Sequence, residues 1–182
     1  MLLAYLSSWW ILLVGLAAVL AAWGYTGGAN PYGYRGLGEL SVFLFFGVVA
    51  TVGTYFVQTL TITGAAIAAS ISMGSLSCAL LAINNIRDIP GDQLVGKRTL
   101  AVKLGDKKAR IFFVFLLISA YIFPAFTGHS LALLTLATAP QAYSIAREVL
   151  AGASGKELIP LLGRTGQLQL HFGLTFALAL SF

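Results

Sequence analysis

The chain has 182 residues, of which 58% are hydrophobic and only 9% are charged. Soluble domains carry about 25% charged residues, so the composition excludes an ordinary soluble protein. The single cysteine excludes an intramolecular disulfide and a thiolate metal cluster.

Apolar segments long enough to cross a bilayer occur along the whole chain, since one crossing takes about 20 apolar residues. We place six of them, at roughly 2–23, 39–58, 62–85, 110–127, 129–146 and 166–182. No stretch has the composition of a soluble second domain or a flexible linker. The predicted fold is therefore all-α, a polytopic transmembrane helical bundle that forms a single domain over residues 1–182.

A glycine-rich loop separates the first two spans. Residues 25–39 contain five glycines and one proline, which exclude a regular helix. Such a loop is commonly a plain turn. Its three tyrosines and one arginine suggest the alternative of a cap that lines a substrate site, with Tyr25 and Arg35 as candidate residues.

The third span differs from the others in its small residues. They recur at about four-residue spacing, as Gly64, Ala68, Ser70, Gly74 and Cys78. Small residues at this spacing allow membrane helices to approach closely. We therefore predict that this span lies at the centre of the bundle.

The densest polar motif follows directly after the third span. It contains Asn84, Asp88 and Asp92, with Lys97 and Arg98 behind them. Carboxylates suit Mg²⁺, which commonly binds through one or two carboxylates plus substrate phosphates, and basic side chains can neutralise phosphate. The motif predicts a metal site for a diphosphate, although loop charges often serve only as a solvated face.

Two residues inside the motif bear on its shape. Pro90 and Gly91 disfavour a continuous helix, so we expect the third helix to end near Asp88. Asp92 would then fold back from a loop to the same metal. The nearby G-x-x-x-x-G-K-R-T run is not a P-loop, because Arg98 replaces the required Ser or Thr and no strand precedes it.

The positive charge is confined to one side of the predicted bundle. If the spans alternate, loops 24–38, 86–109 and 147–165 share a side, and all eleven Lys and Arg residues fall in or directly beside them. Basic loops stay cytoplasmic by the positive-inside rule. The charge therefore predicts cytoplasmic site loops and gives no reason to expect a nucleic-acid partner.

The polar motif resembles a known family. Asn84-Asn85, Arg87-Asp88 and Asp92, followed by Gly-Lys-Arg-Thr-Leu, resemble the second aspartate-rich motif of the UbiA-type intramembrane prenyltransferases. The glycine loop is a second match, to the branch of menaquinone synthesis that prenylates 1,4-dihydroxy-2-naphthoate. This family has nine transmembrane helices and a further acidic motif before this one. The chain thus resembles the C-terminal two-thirds of such an enzyme, and we expect it to be inactive alone.

The resemblance implies a reaction, a cofactor and a set of residues. A polyprenyl group would pass from polyprenyl diphosphate to 1,4-dihydroxy-2-naphthoate in the plasma membrane, with loss of the ring carboxylate as CO₂. Asp88 and Asp92 would bind Mg²⁺, and Lys97 would act with them in catalysis. The implied substrate-binding residues are Asn84, Asn85, Arg87, Arg98, Tyr25 and Arg35. Two alternatives remain, another aromatic acceptor such as 4-hydroxybenzoate and a membrane transporter of an anionic substrate.

Overall fold

The computed structural model describes residues 2–181, and helices dominate it. No strand occurs between residues 2 and 181, so the all-α prediction is confirmed. Residues 2–181 form eight α-helices, which are α1 Leu2–Leu6, α2 Trp10–Thr26, α3 Gly38–Thr59, α4 Gly64–Leu94, α5 Leu100–Leu104, α6 Asp106–Ile122, α7 Ala139–Leu150 and α8 Leu158–Leu180. Short 3-10 segments lie at Tyr32–Arg35, Phe123–Phe126, Ser130–Thr138 and Gly155–Glu157, and the middle of α3, Phe43–Val49, is π-helical.

Three of the described helical stretches are long and apolar enough to cross a membrane. They are α3, α4 and Asp106–Phe126, which begins with α6. The apolar α2 has 17 residues, which leaves it slightly shorter. These helices confirm the predicted polytopic membrane bundle. However, not every one of the six predicted spans forms a single long helix.

The largest difference from the expected spans lies between residues 129 and 146. The structure has a 3-10 segment there, Ser130–Thr138, which leads into α7. The hydroxyls of Thr135 and Thr138 donate to backbone carbonyls three residues earlier, at 2.8 and 2.7 Å. Such local bonds compete with the regular α-helical pattern. The last span also differs, because its helix begins at Leu158 and not at residue 166.

The longest helix, α4, occupies the centre of the bundle. Its first turn is capped by Thr63, whose hydroxyl accepts a hydrogen bond from the backbone N–H of Ala66 at 3.2 Å. Along its length it packs against α3, α6 and α8. Of the small residues in the predicted pattern, Ala68, Ser70, Gly74 and Cys78 are buried, whereas Gly64, at the start of the helix, is exposed. The predicted central position of this helix is confirmed.

Glycines bring α3 and α4 into backbone contact. A Cβ atom at Gly47 would lie only 2.5 Å from the Cα of Gly74. A Cβ at Gly74 would lie 2.9 Å from the ring of Phe43. No side chain fits at this crossing, as expected where membrane helices meet through small residues.

The expected end of the third helix near Asp88 is wrong. α4 continues through Pro90 to Leu94, so Asp92 lies on the helix and not in a loop. Proline removes one backbone hydrogen bond and crowds the preceding turn. Burial of Ile86, Ile89 and Asp92 on one side of the helix accompanies this continuation, and such packing commonly overrides local propensity.

The three basic loops meet at one end of the bundle. The backbone N–H of Arg98 donates to the carbonyl of Tyr34 at 2.8 Å, which joins the first loop to the second. The buried guanidinium of Arg110 donates to the carbonyls of Val149 and Ala153 at 2.6 and 2.9 Å, which joins the second to the third. The shared side is therefore present in the structure, and its cytoplasmic orientation stays a prediction.

Candidate functional site

The carboxylate of Asp88 lies near the C-terminal end of α4, where the three basic loops meet. Hydrogen bonds from neighbouring side chains hold it in place. Arg87 donates to it twice, with Nε 2.7 Å from Oδ1 and Nη2 2.8 Å from Oδ2. Asn84, one turn earlier, places its Nδ2 atom 3.4 Å from Oδ2. The Asp88 side chain remains 39% exposed. This carboxylate is therefore accessible to a ligand even while it is paired.

Asp92 lies one turn further along α4 and is buried, with 11% of its side chain exposed. The Nζ atom of Lys97 is 3.4 Å from its Oδ1 atom. The same ammonium lies 4.7 Å from the centre of the Tyr34 ring, a cation–π distance. We call the part of α4 that carries Asp88 and Asp92 the acidic end of α4. Lys97 thus joins this acidic end to the glycine loop.

Next to the motif, the predicted substrate-binding residue Asn85 is buried against Glu39, and Glu39 was not predicted as a site residue from the sequence. The Asn85 side chain donates from Nδ2 to Oε1 of Glu39 at 3.0 Å, and both residues are buried. The carbonyl of Glu39 also accepts from the thiol of Cys78 at 3.1 Å. A carboxyl at the start of an apolar span was the available signal, because ionisable groups at such positions are costly without a role.

Asn84 also lines a largely apolar cavity of about 450 Å³. Its other lining residues are Val42, Phe46, Ser77, Leu80, Leu81, Leu162 and Gln169. Helices α3, α4 and α8 therefore all contribute to its walls. A few polar groups in an apolar cavity are typical of small-molecule sites.

Tyr25 lies in a different place from the acidic motif. It lines a second apolar cavity, of about 440 Å³, between α2 and α3. Its ring packs edge-on against Tyr32, with centroids 5.6 Å apart. The two apolar cavities share Val42 and Phe46 in their walls. The structure thus places Tyr25 beside this shared wall and not against Asp88 or Asp92.

Arg35 and Arg98 come together in a third place. Both line a polar pocket of about 550 Å³ between the glycine loop and the segment after α4, together with Lys103. Lys103 was not among the residues predicted from the sequence. The predicted site residues therefore form three adjoining groups: the acidic end of α4, the tyrosine-lined cavity and this basic pocket.

The composition of the acidic end limits what it can bind alone. Between residues 2 and 181, no group of three or more His, Cys, Asp or Glu side chains could hold a metal ion. Asp88 and Asp92 supply two carboxylates, and Asn84 supplies an amide oxygen. Mg²⁺ commonly keeps several non-protein oxygen ligands, including substrate phosphates. This donor set therefore fits a metal that a phosphate helps to hold.

Comparison with known proteins gives close relatives. The chain is 43% identical to 1,4-dihydroxy-2-naphthoate octaprenyltransferase of Mycobacterium tuberculosis, over 99% of the chain and 62% of that protein. It is 38% identical to the protein of the same name in Escherichia coli, over 93% of the chain and 56% of that protein. A rat protein, UbiA prenyltransferase domain-containing protein 1, is 34% identical over 84% of the chain and 44% of its own length.

The extent of these matches is also informative. The chain spans about three fifths of the length of its bacterial relatives. No solved structure matches it. The family model described as the UbiA prenyltransferase family matches residues 1–157, which is most of the chain. The chain belongs to the UbiA prenyltransferase family.

Proposed function

We propose that the protein transfers a polyprenyl group from polyprenyl diphosphate to 1,4-dihydroxy-2-naphthoate. The observation that carries the proposal is the position of Asn84, which lines the apolar cavity and lies 3.4 Å from the Asp88 carboxylate. A charged end for a diphosphate is thereby joined to an apolar space for hydrocarbon and an aromatic ring. Relatives at 38–43% identity that carry the naphthoate prenyltransferase name support the choice of acceptor.

The acidic end would hold Mg²⁺ through Asp88 and Asp92, with Asn84 beside them. Bound there, the ion supplies Lewis-acid stabilisation to a departing diphosphate. Both carboxylates already have cationic partners, Arg87 and Lys97. We expect these two side chains to turn from the carboxylates to the phosphate oxygens when substrate binds, because both form strong charge-assisted hydrogen bonds to phosphate.

The cavity beside Asn84 would protect the reacting carbon. In the proposed step, the bond between the prenyl carbon and the diphosphate oxygen breaks, and the naphthoate ring attacks that carbon. The ring carboxylate leaves as CO₂, which restores the aromatic ring. An allylic cation needs a site from which water is excluded. Val42, Phe46 and Leu80 supply apolar walls for this purpose.

The proposal includes the setting of the reaction. The basic loops would face the cytoplasm, as the positive-inside rule predicts, and the protein would lie in the plasma membrane. A water-soluble naphthoate would then reach the site from the cytoplasm. The polyprenyl chain would lie among the apolar helices, which expose many large hydrophobic side chains along α2 and α3.

The test uses protein from the natural gene, so that any segment outside residues 1–182 is included. Purified protein receives polyprenyl diphosphate, Mg²⁺ and 1,4-dihydroxy-2-naphthoate, and product, diphosphate and CO₂ are measured. We expect equal amounts of all three. Asp88→Asn should lower the rate by more than about 100-fold, since stabilisation of developing charge is commonly worth that much. Lys97→Ala should raise the KM for polyprenyl diphosphate without lowering the unfolding temperature.

Glu148→Gln is the matched control. It removes one carboxylate from an arginine pair, with Arg164 at 2.7 Å, outside the acidic end of α4, and it should leave the rate unchanged. Near-normal turnover by Asp88→Asn would refute the metal assignment. Product with 4-hydroxybenzoate and none with the naphthoate would refute the acceptor. Transport of an anion without any prenylated product would refute the reaction.

A further inference from the structure

Gln169 is a polar side chain on α8 that lines the apolar cavity beside Asn84. The other polar residues in the wall of this cavity are Ser77 of α4 and Asn84 itself. A few placed polar groups in an apolar cavity commonly fix the orientation of a small molecule. Neither Gln169 nor Ser77 has a part in the metal site, so both are available to recognise a substrate.

A hydrogen bond to α4 fixes the orientation of the Gln169 amide. Its Nε2 atom donates to the hydroxyl of the buried Ser77 at 2.9 Å. Its Oε1 atom accepts no hydrogen bond from residues 2–181. Among the fully buried side-chain nitrogen and oxygen atoms of these residues, only Ser72 Oγ lacks a partner. The unpaired Oε1 atom of Gln169 is therefore accessible to a ligand.

The polar groups lie at two levels of the cavity. Ser77 precedes Asn84 by seven residues, which is about two turns of α4 and roughly 10 Å along its axis. Asn84 lies beside Asp88 at the charged level. Gln169, bonded to Ser77, lies further from the basic loops, and no charged side chain belongs to the described wall of the cavity. An aromatic ring between the two levels would have one edge towards the diphosphate and the other towards Gln169.

We propose that Gln169 recognises a hydroxyl group of the aromatic acceptor by accepting a hydrogen bond at Oε1. This inference rests on the proposed function and adds a residue that determines acceptor specificity. An amide oxygen only accepts hydrogen bonds, so it pairs with an O–H donor. In 1,4-dihydroxy-2-naphthoate one hydroxyl adjoins the carboxylate and can bond to it internally, whereas the other is free to donate to the protein. A site built for a substrate hydroxyl rejects an analogue that lacks it, because its own polar group is then left unpaired.

Equilibrium binding of two naphthoates tests this assignment without turnover. The natural protein, with Mg²⁺ and an unreactive thiolodiphosphate analogue of the prenyl donor, is titrated anaerobically with 1,4-dihydroxy-2-naphthoate and with 1-hydroxy-2-naphthoate. Both ligands carry the same carboxylate, and only the first has the free hydroxyl. Gln169→Leu should weaken binding of the first about tenfold, since loss of a hydrogen bond in an apolar site commonly costs that much. It should not weaken binding of the second.

Gln167→Leu serves as the control. It makes the same change at an exposed residue of α8 that does not line the cavity, and it should leave both affinities unchanged. Ser77→Ala removes the partner that holds the Gln169 amide, and it should weaken binding of the dihydroxy ligand by about threefold. Gln169→Asn retains an amide but shortens it, so it should show the same selective loss without placing a new apolar side chain between the helices.

A purely structural bond between α4 and α8 would give a different result. Equal weakening of both naphthoates by Gln169→Leu and Gln169→Asn would overturn the assignment, as would unchanged affinity for 1,4-dihydroxy-2-naphthoate. Prenyl transfer by the unaltered protein is measured separately. Selective loss of affinity in Gln169→Leu would support the inference even if no prenylated product formed, whereas the missing product would refute only the proposed function.

Discussion

The pair formed by Glu39 and Asn85 should hold α3 against α4. Replacing Glu39 by alanine would leave the buried Asn85 amide without its acceptor, which now lies 3.0 Å away. Removing the acceptor of a buried hydrogen bond leaves the donor unsatisfied, which costs about 1–3 kcal/mol. We therefore expect Glu39→Ala to lower the free energy of unfolding by about 2–3 kcal/mol. For a protein of this size the unfolding temperature should fall by roughly 4–12 °C.

Thermal unfolding in detergent, followed by tryptophan fluorescence, measures this effect. Glu39→Gln is the matched control, because its amide oxygen still accepts from Asn85 and most of the stability should remain. A double-mutant cycle with Asn85→Ala isolates the pair. We expect a coupling energy of at least about 1 kcal/mol. Equal destabilisation by Asn85→Ala in the wild-type and Glu39→Ala backgrounds would refute the reasoning.

Three further predictions concern packing and orientation. Gly47→Ala should destabilise the protein by about 1–3 kcal/mol through overpacking against α4, which thermal unfolding measures. Gly53→Ala is the control and should leave the stability unchanged, because no atom lies within 4 Å of its added Cβ. Arg110→Gln should cost about 2–3 kcal/mol, because the buried guanidinium bonds to an acidic partner and two backbone carbonyls. It should also increase hydrogen exchange at the end of α7. A cysteine at the exposed Gly91 should react with a membrane-impermeant maleimide only from the cytoplasmic side; labelling from outside would overturn the proposed orientation.

Composition and spacing predicted the main features of this fold. The small-residue pattern of the third span identified the central helix, because close helix approach inside a membrane depends on such residues. The distribution of Lys and Arg identified the three loops that meet at one end. Neither inference needed knowledge of tertiary contacts. Both inferences use constraints that a membrane imposes directly on the sequence, namely small residues where helices cross and basic residues on one side.

Other features depend on contacts between residues far apart in sequence. Local propensity predicted a helix end near Asp88, but the continued helix has Ile86, Ile89 and Asp92 buried on one side. The bond between Glu39 and Asn85 joins residues on different helices, so no local pattern contains it. The same holds for Lys103, which enters the basic pocket only because its side chain reaches the carbonyl of Arg35.

The candidate site depends on packing that lies outside the acidic motif. Two contacts fix α3 to α4. At the start of α3, Glu39 accepts a hydrogen bond from Asn85, and about two turns later Gly47 meets Gly74. The wall residues that the two apolar cavities share lie on α3 between these contacts. A movement of this wall would have to break a buried hydrogen bond or separate a close backbone crossing. The acidic end of α4 therefore sets which charges can be bound, while the two contacts between α3 and α4 set the width of the space beside it.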